Sequence, residues 1–99
     1  MLVDFEDEGL RRLHEEPDFR FPQFGDDLTR HFRKVTGAIM AAMSEQDLYA
    51  MRSLKFEKLQ GKRKGQHSLR LNQQWRLIVR LTHRDTGKVV MVVEVVDYH

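Results

Sequence analysis

The sequence contains no cysteine, which excludes a disulfide framework, a thiolate metal site and a cysteine nucleophile. Long apolar runs are also missing. The longest, Ala38 to Met43, with Val89 to Val93 next, is far short of the roughly 20 residues of a membrane-spanning helix. Asp4, Glu6, Asp7 and Glu8 interrupt the start, so no secretory signal pattern is present. There is no Gly-x-x-x-x-Gly-Lys phosphate loop, no serine nucleophile elbow, no internal repeat and no low-complexity segment. The five histidines, His14, His31, His67, His83 and His99, lack i,i+4 or cysteine-paired spacing. No metal site and no cofactor is therefore expected. These absences suit a cytoplasmic protein with no membrane segment. The 99 residues make one domain, 1–99, that buries roughly 60–70% of its unfolded surface.

What is present is an uneven charge. Residues 1–54 hold seven Lys/Arg and eleven Asp/Glu, a balance of −4. Residues 55–99 hold ten and four, a balance of +6, for a total of +2. A basic half on a small domain suits an acidic partner, nucleic acid first among them, or it is an ordinary solvated face.

The apolar spacing predicts the elements. Val3 and Phe5 alternate in a short first strand. A helix from Asp7 to Glu16 carries Leu10 and Leu13 on one side and stops at Pro17. Phe19, Phe21 and Phe24 form a connector expected to pack under a helix. A long helix from about Pro22 or Asp26 to Met43 presents Leu28, Phe32, Val35, Ile39 and Met43 as one stripe. Met40 and Met43 are expected in the core. Ser44, with Asp47 three residues on, resembles an N-cap for a short helix to about Arg52.

Beyond Gly61-Lys62-Arg63-Lys64-Gly65 the period changes to two. His67, Leu69 and Leu71 fall on one face, and Gln66, Ser68, Arg70 and Asn72 on the other. In the next strand Trp75, Leu77, Val79 and Leu81 oppose Arg76, Ile78 and Arg80. Arg84 to Lys88 is a turn, and Lys88 to Val96 is apolar on both sides apart from Glu94, as a mid-sheet strand would be. The fold class expected is α+β: a short N-terminal strand, then two helices and a short third packed on one face of an antiparallel sheet of about four strands. Arg70 and Arg76 would share the helix-free face. A guanidinium fixed there suits two-point contact with phosphate. Asp97, Tyr98 and His99 bring a carboxyl, a phenol and an imidazole together after a strand, and such groups move protons near neutral pH.

The text Leu59-Gln-Gly-Lys-Arg-Lys-Gly-Gln-His-Ser-Leu-Arg-Leu-Asn-Gln-Gln-Trp-Arg76, then Val93-Glu-Val-Val-Asp-Tyr-His99, resembles the HigB branch of the RelE/ParE toxins of bacterial toxin–antitoxin systems. That family writes Leu-x-Gly-Asp-Arg-x-Gly-Gln-x-Ser-Ile-Arg-Ile-Asn-x-x-Trp-Arg and Val-Asp-Tyr-His. Phe5, Gly9, Leu10 and Leu13 agree with its N-terminal pattern. The resemblance implies a RelE-like fold and a metal-independent endoribonuclease that cuts messenger RNA in the ribosomal A site. It also implies a cognate helix-turn-helix antitoxin, through which alone the toxin would meet operator DNA. The RNA 2′-hydroxyl would attack the adjacent phosphate. Carried over, Asp97 and His99 transfer protons, Tyr98 positions or stacks, and Arg76 stabilises charge on phosphate. Lys58, Lys62, Arg63, Lys64, Arg70 and Arg80 are the RNA-binding candidates. Many relatives have His-Pro-Leu-Lys-Gly where this chain has Glu57-Lys58-Leu59-Gln60-Gly61, so Glu57 stands where the family's base stands. Gln60 replaces that motif's lysine, and Lys62 replaces the aspartate after its glycine.

Two alternatives stay open: a non-enzymatic ParE-like poison that binds a protein such as gyrase, and a plain RNA-binding module. The nuclease reading predicts that Tyr98→Ala and His99→Ala each lose toxicity in a growth assay. Full toxicity in both would remove these residues from the site.

Overall fold

A computed structural model describes residues 1–97; Tyr98 and His99 lie outside the described residues. The chain runs β1 (Leu2–Phe5), α1 (Glu8–Glu15), α2 (Gly25–Ala41), α3 (Glu45–Ala50), β2 (Glu57–Lys58), β3 (Gln66–Arg70), β4 (Trp75–Arg84) and β5 (Gly87–Asp97). Single 3-10 turns occupy Arg52–Leu54 and Gly61–Arg63.

The helices begin and end for local reasons. Asp7 caps α1 by accepting the Leu10 amide at 3.2 Å, and an acceptor here satisfies a donor that the first turn leaves open. At Gly9 the helix passes so close to the Phe21 ring that an added Cβ would overlap it. Helix α2 buries Leu28, Phe32, Val35 and Ile39, and the Thr29 and Thr36 hydroxyls bond back to the Gly25 and Phe32 carbonyls. It ends at Ala41, short of the expected Met43. The stripe therefore stops at Ile39, and Met40 and Met43 are exposed rather than in the core, Met43 by 87%. Ser44 makes no side-chain cap bond. Asp47 instead turns its carboxylate onto the Met43 amide at 2.8 Å. Phe19 meets Phe21 edge to face, Phe21 meets Phe24 at a tilt, and all three pack against the core as half-buried rings.

The α+β class is as expected, with five strands rather than about four. Their order is β1-β5-β4-β3-β2. Strand β2 is two residues long, too short for alternation to register. The sheet is not wholly antiparallel, because β1 pairs parallel to β5. Helices separate β1 from the later strands, so no tight turn forces the reversal that a hairpin imposes. Strand β5 lies between β1 and β4, consistent with its apolar character.

The β4–β5 register shifts between Ile78 and Val79. Ile78 faces Glu94, whereas Val79 faces Val92, so Val93 is an extra residue in β5. One face of the sheet packs Leu69, Leu77, Val79, Val90 and Val92 with Phe32, Ile39 and Leu13. Among the described residues the opposite face has no helix, yet Ser68, Ile78 and Val89 are buried there as well.

Leu77 is fully buried in this core, so Leu77→Ala should cost about 2–5 kcal/mol by urea unfolding. Met43→Ala should stay within about 0.5 kcal/mol of the parent.

Candidate active site

The helix-free face is built by the β3–β4 hairpin. Asn72 shapes its turn: Oδ1 accepts the Gln74 amide at 2.9 Å and the Trp75 amide at 2.8 Å, the Asx arrangement that this residue type favours. The Leu71 amide closes the turn onto the Trp75 carbonyl at 3.0 Å. The register then sets Arg70 directly opposite Arg76, and Arg76 opposite Val96 on the next strand. Like charges on directly opposed residues repel, so this pairing favours an anion at the same place. Both arginines are half-buried, with apolar stems lying on the sheet. Arg70 bonds the Asn72 carbonyl through Nε at 3.3 Å. At the strand end it also lines, with His31 and Lys34, a cleft of about 450 Å³ beside α2.

Asp97 follows one residue after Val96, opposite Trp75. Gln74 Nε2 donates to its Oδ2 at 3.0 Å. The turn that aligns the arginines thus also holds Asp97, through a glutamine that sequence patterning did not single out. Its only signal was its place in a polar turn between two patterned strands. Trp75 itself is half-buried and packs on the core cluster.

The other expected residues divide into two groups. Arg63 and Arg80 lie on the same face but are engaged by acids. Arg63 Nη2 is 3.2 Å from Glu94 Oε2, and Arg80 Nε donates to Glu6 Oε2 at 2.9 Å. Arg84 and Arg11 in turn hold Asp4, at 2.6 and 2.5 Å. Their hydrogen bonds, Arg84's foremost, keep the Asp4 carboxyl far below the usual carboxylate range. Lys58, Lys62 and Lys64 are exposed around the 3-10 turn Gly61–Arg63, and none has an acidic partner among the described residues.

Glu57 is exposed on β2, opposite Ser68, in the row that continues through Ile78 to Glu94. Three strand spacings, about 14 Å, separate β2 from β5. The structure therefore brings Arg70, Arg76 and Asp97 to one end of the hairpin and does not bring Glu57 alongside Asp97. Tyr98 and His99 lie outside the described residues. Among the described residues no group of three or more His, Asp or Glu is placed to hold a metal, and no helix is long and apolar enough to cross a membrane.

Beneath the face, His67 is buried and stacks on Phe56, with ring centroids 4.8 Å apart and planes 9° from parallel. Neither ring nitrogen has a hydrogen-bond partner among the described residues. Burial pushes its pKa below the ordinary 6.5, against a partial opposing effect of Glu45. His14 is lowered in the same way, also by burial first.

For both rings the unfolded chain takes up a proton at a higher pH than the folded protein does. Stability is therefore complete above about pH 6.5 and falls as pH drops through that value. Asp4, ionised in both states here, adds a stabilisation that does not change across this window. The urea midpoint should consequently be lower at pH 5 than at pH 7.5. His67→Phe, which keeps the stacked ring, should reduce that difference.

A family model described as HigB-like toxin, a RelE-like toxin of the type II toxin–antitoxin system HigB, matches residues 3–99. Among solved structures, YafQ from E. coli strain BL21(DE3) is similar with a TM-score of 0.61 at 12% identity, covering 96% of this chain and 90% of that one. A YoeB/ParE toxin from Agrobacterium tumefaciens gives 0.56 at 12% identity over 100% of both chains. The YoeB–YefM complex from Staphylococcus aureus gives 0.53 at 18% identity, over 100% of this chain and 98% of that one. At such identities the likeness is one of fold. No curated protein sequence matches the chain.

Proposed function

The chain belongs to the HigB-like family, the RelE-like toxins of type II toxin–antitoxin systems, and from that premise we propose that it is an endoribonuclease acting on messenger RNA in the ribosomal A site. The observation that carries this reading is the opposed Arg70–Arg76 pair on the helix-free face, with Asp97 in the adjoining row at the same end of the hairpin. A phosphodiester over the two guanidinium groups meets two-point donors whose stems are held by the sheet.

The reaction needs no protein nucleophile. A base takes the proton of the 2′-hydroxyl, and that oxygen attacks the adjacent phosphorus. The bond to the 5′-oxygen breaks, and an acid returns a proton to it. A 2′,3′-cyclic phosphate and a free 5′-hydroxyl result. Arg76, with Arg70 beside it, faces the charge that grows on the phosphoryl oxygens. Asp97, oriented by Gln74, and His99 carry the proton transfers, and Tyr98 positions the RNA. Glu57, three strands across the sheet from Asp97, is the remaining candidate base. Lys58, Lys62 and Lys64 bind the backbone on either side, with Arg63 and Arg80 behind them.

In this reading residues 1–99 are one toxin domain working in the cytoplasm, held in check by a helix-turn-helix antitoxin.

Arg76→Ala should lower mRNA cleavage by about 10²–10³-fold, read as loss of new 5′ ends in primer extension after induction, with the protein still folded by circular dichroism. Glu57→Gln separates the bases: retained cleavage leaves the role to Asp97 and His99. Intact mRNA together with inhibited DNA supercoiling would instead establish the protein-binding poison.

A further inference from the structure

Arg63 stands at the end of a 3-10 turn that no strand ladder includes. Gly61 and Gly65 bound this turn at φ 65° and 92°, left-handed conformations that glycine adopts without strain. From there Arg63 reaches across the helix-free face. Nη1 donates to Gln66 Oε1 at 2.9 Å on β3, and Nη2 meets Glu94 Oε2 at 3.2 Å on β5. Ser68 and Ile78, on the strands in between, are buried although no helix covers them. The guanidinium that the function assigns to RNA is thus already seated on a carboxylate. Its two contacts are a carboxylate oxygen and an amide oxygen, the acceptor geometry that a phosphodiester also offers.

We propose that Glu94 is an internal ligand of Arg63 that an RNA phosphate must displace, so that Glu94 sets an upper limit on how tightly this face holds RNA. The side chains of the pair are 37% and 47% exposed, and an ion pair so open to solvent is weak and easily exchanged. Glu94 has no place in the proton transfers, and it lies in the row of Ile78 and Ser68, between the Arg70–Arg76 end of the face and the Arg80–Glu6 pair. With the RNA absent it keeps Arg63 folded down over the sheet. With a phosphate present it is the acid that must give way. The inference rests on the RNA reading of the preceding subsection.

The test is binding of a 2′-O-methyl RNA of about twelve nucleotides, which no 2′-hydroxyl can cleave, followed by fluorescence anisotropy at low salt. Glu94→Gln should bind about two- to fivefold tighter than the parent, and Glu94→Ala should move the same way. Arg63→Ala should bind more weakly. In the Arg63→Ala background, Glu94→Gln should lose most of its gain, because the competition has lost its object. Unchanged or weaker binding by both Glu94 variants, with thermal melts showing them folded, would overturn the inference. So would a gain that persists undiminished without Arg63, since that is plain charge repulsion. No binding by the parent protein would likewise overturn the inference, whereas loss of the RNA reading itself would show as intact mRNA in the primer-extension assay.

Discussion

One extra residue in the last strand governs how the two faces of the sheet are shared out. Under strict alternation Val90, Val92, Glu94 and Val96 would lie on one side. Val90 and Val92 are fully buried against the helices, and Glu94 would follow them into the core, where an unpaired carboxylate is costly. Val93 absorbs the conflict as a bulge. Upstream of it the valines stay inside, and downstream Glu94 sits beside Ile78, Val96 beside Arg76 and Asp97 beside Trp75. A one-residue slip changes the face of every following side chain. The bulge therefore sets both the core and the composition of the candidate site, as bulges near functional edges commonly do.

Much of this was legible in the chain. The alternation from Gln66 to Leu81 assigned His67, Leu69, Leu77 and Val79 to the core and Arg70 and Arg76 to the other face, and the register agrees. The helix stripe was equally plain as far as Ile39. It failed at Met40 and Met43 because periodicity does not mark the turn at which a helix stops, and an exposed methionine has the same letter as a buried one. Strand β2 left no signal because two residues cannot alternate. The acid partners of the arginines were invisible for a different reason. Glu6 and Arg80 are 74 residues apart, and such pairings exist only once strand order is known. Glu94 came closest to announcing itself, as the single charge inside an otherwise apolar strand.

Charge pairing divides the helix-free face into two zones. Toward β1, Asp4 and Glu6 bind Arg84, Arg11 and Arg80 into a network with little charge to spare. Toward β2, Lys58, Lys62 and Lys64 form no ion pair among the described residues, although Glu57 is next to Lys58 in the chain. The basic excess of the C-terminal half is thereby concentrated at the β2 edge, at the end of β3 opposite the turn that carries Arg70, Arg76 and Asp97. A field arranged in this way draws a polyanion toward that edge before any specific contact forms.

The turn between β2 and β3 has a consequence for how such a protein changes over generations. Its glycines isolate Lys62, Arg63 and Lys64 from the ladders on either side, and none of its residues enters the hydrophobic core. Charge can be gained, lost or reversed there without shifting a strand or opening a cavity. The scaffold and the recognition loop are thus free to vary on separate clocks: one under the constraint of packing, the other under that of whatever the face must hold.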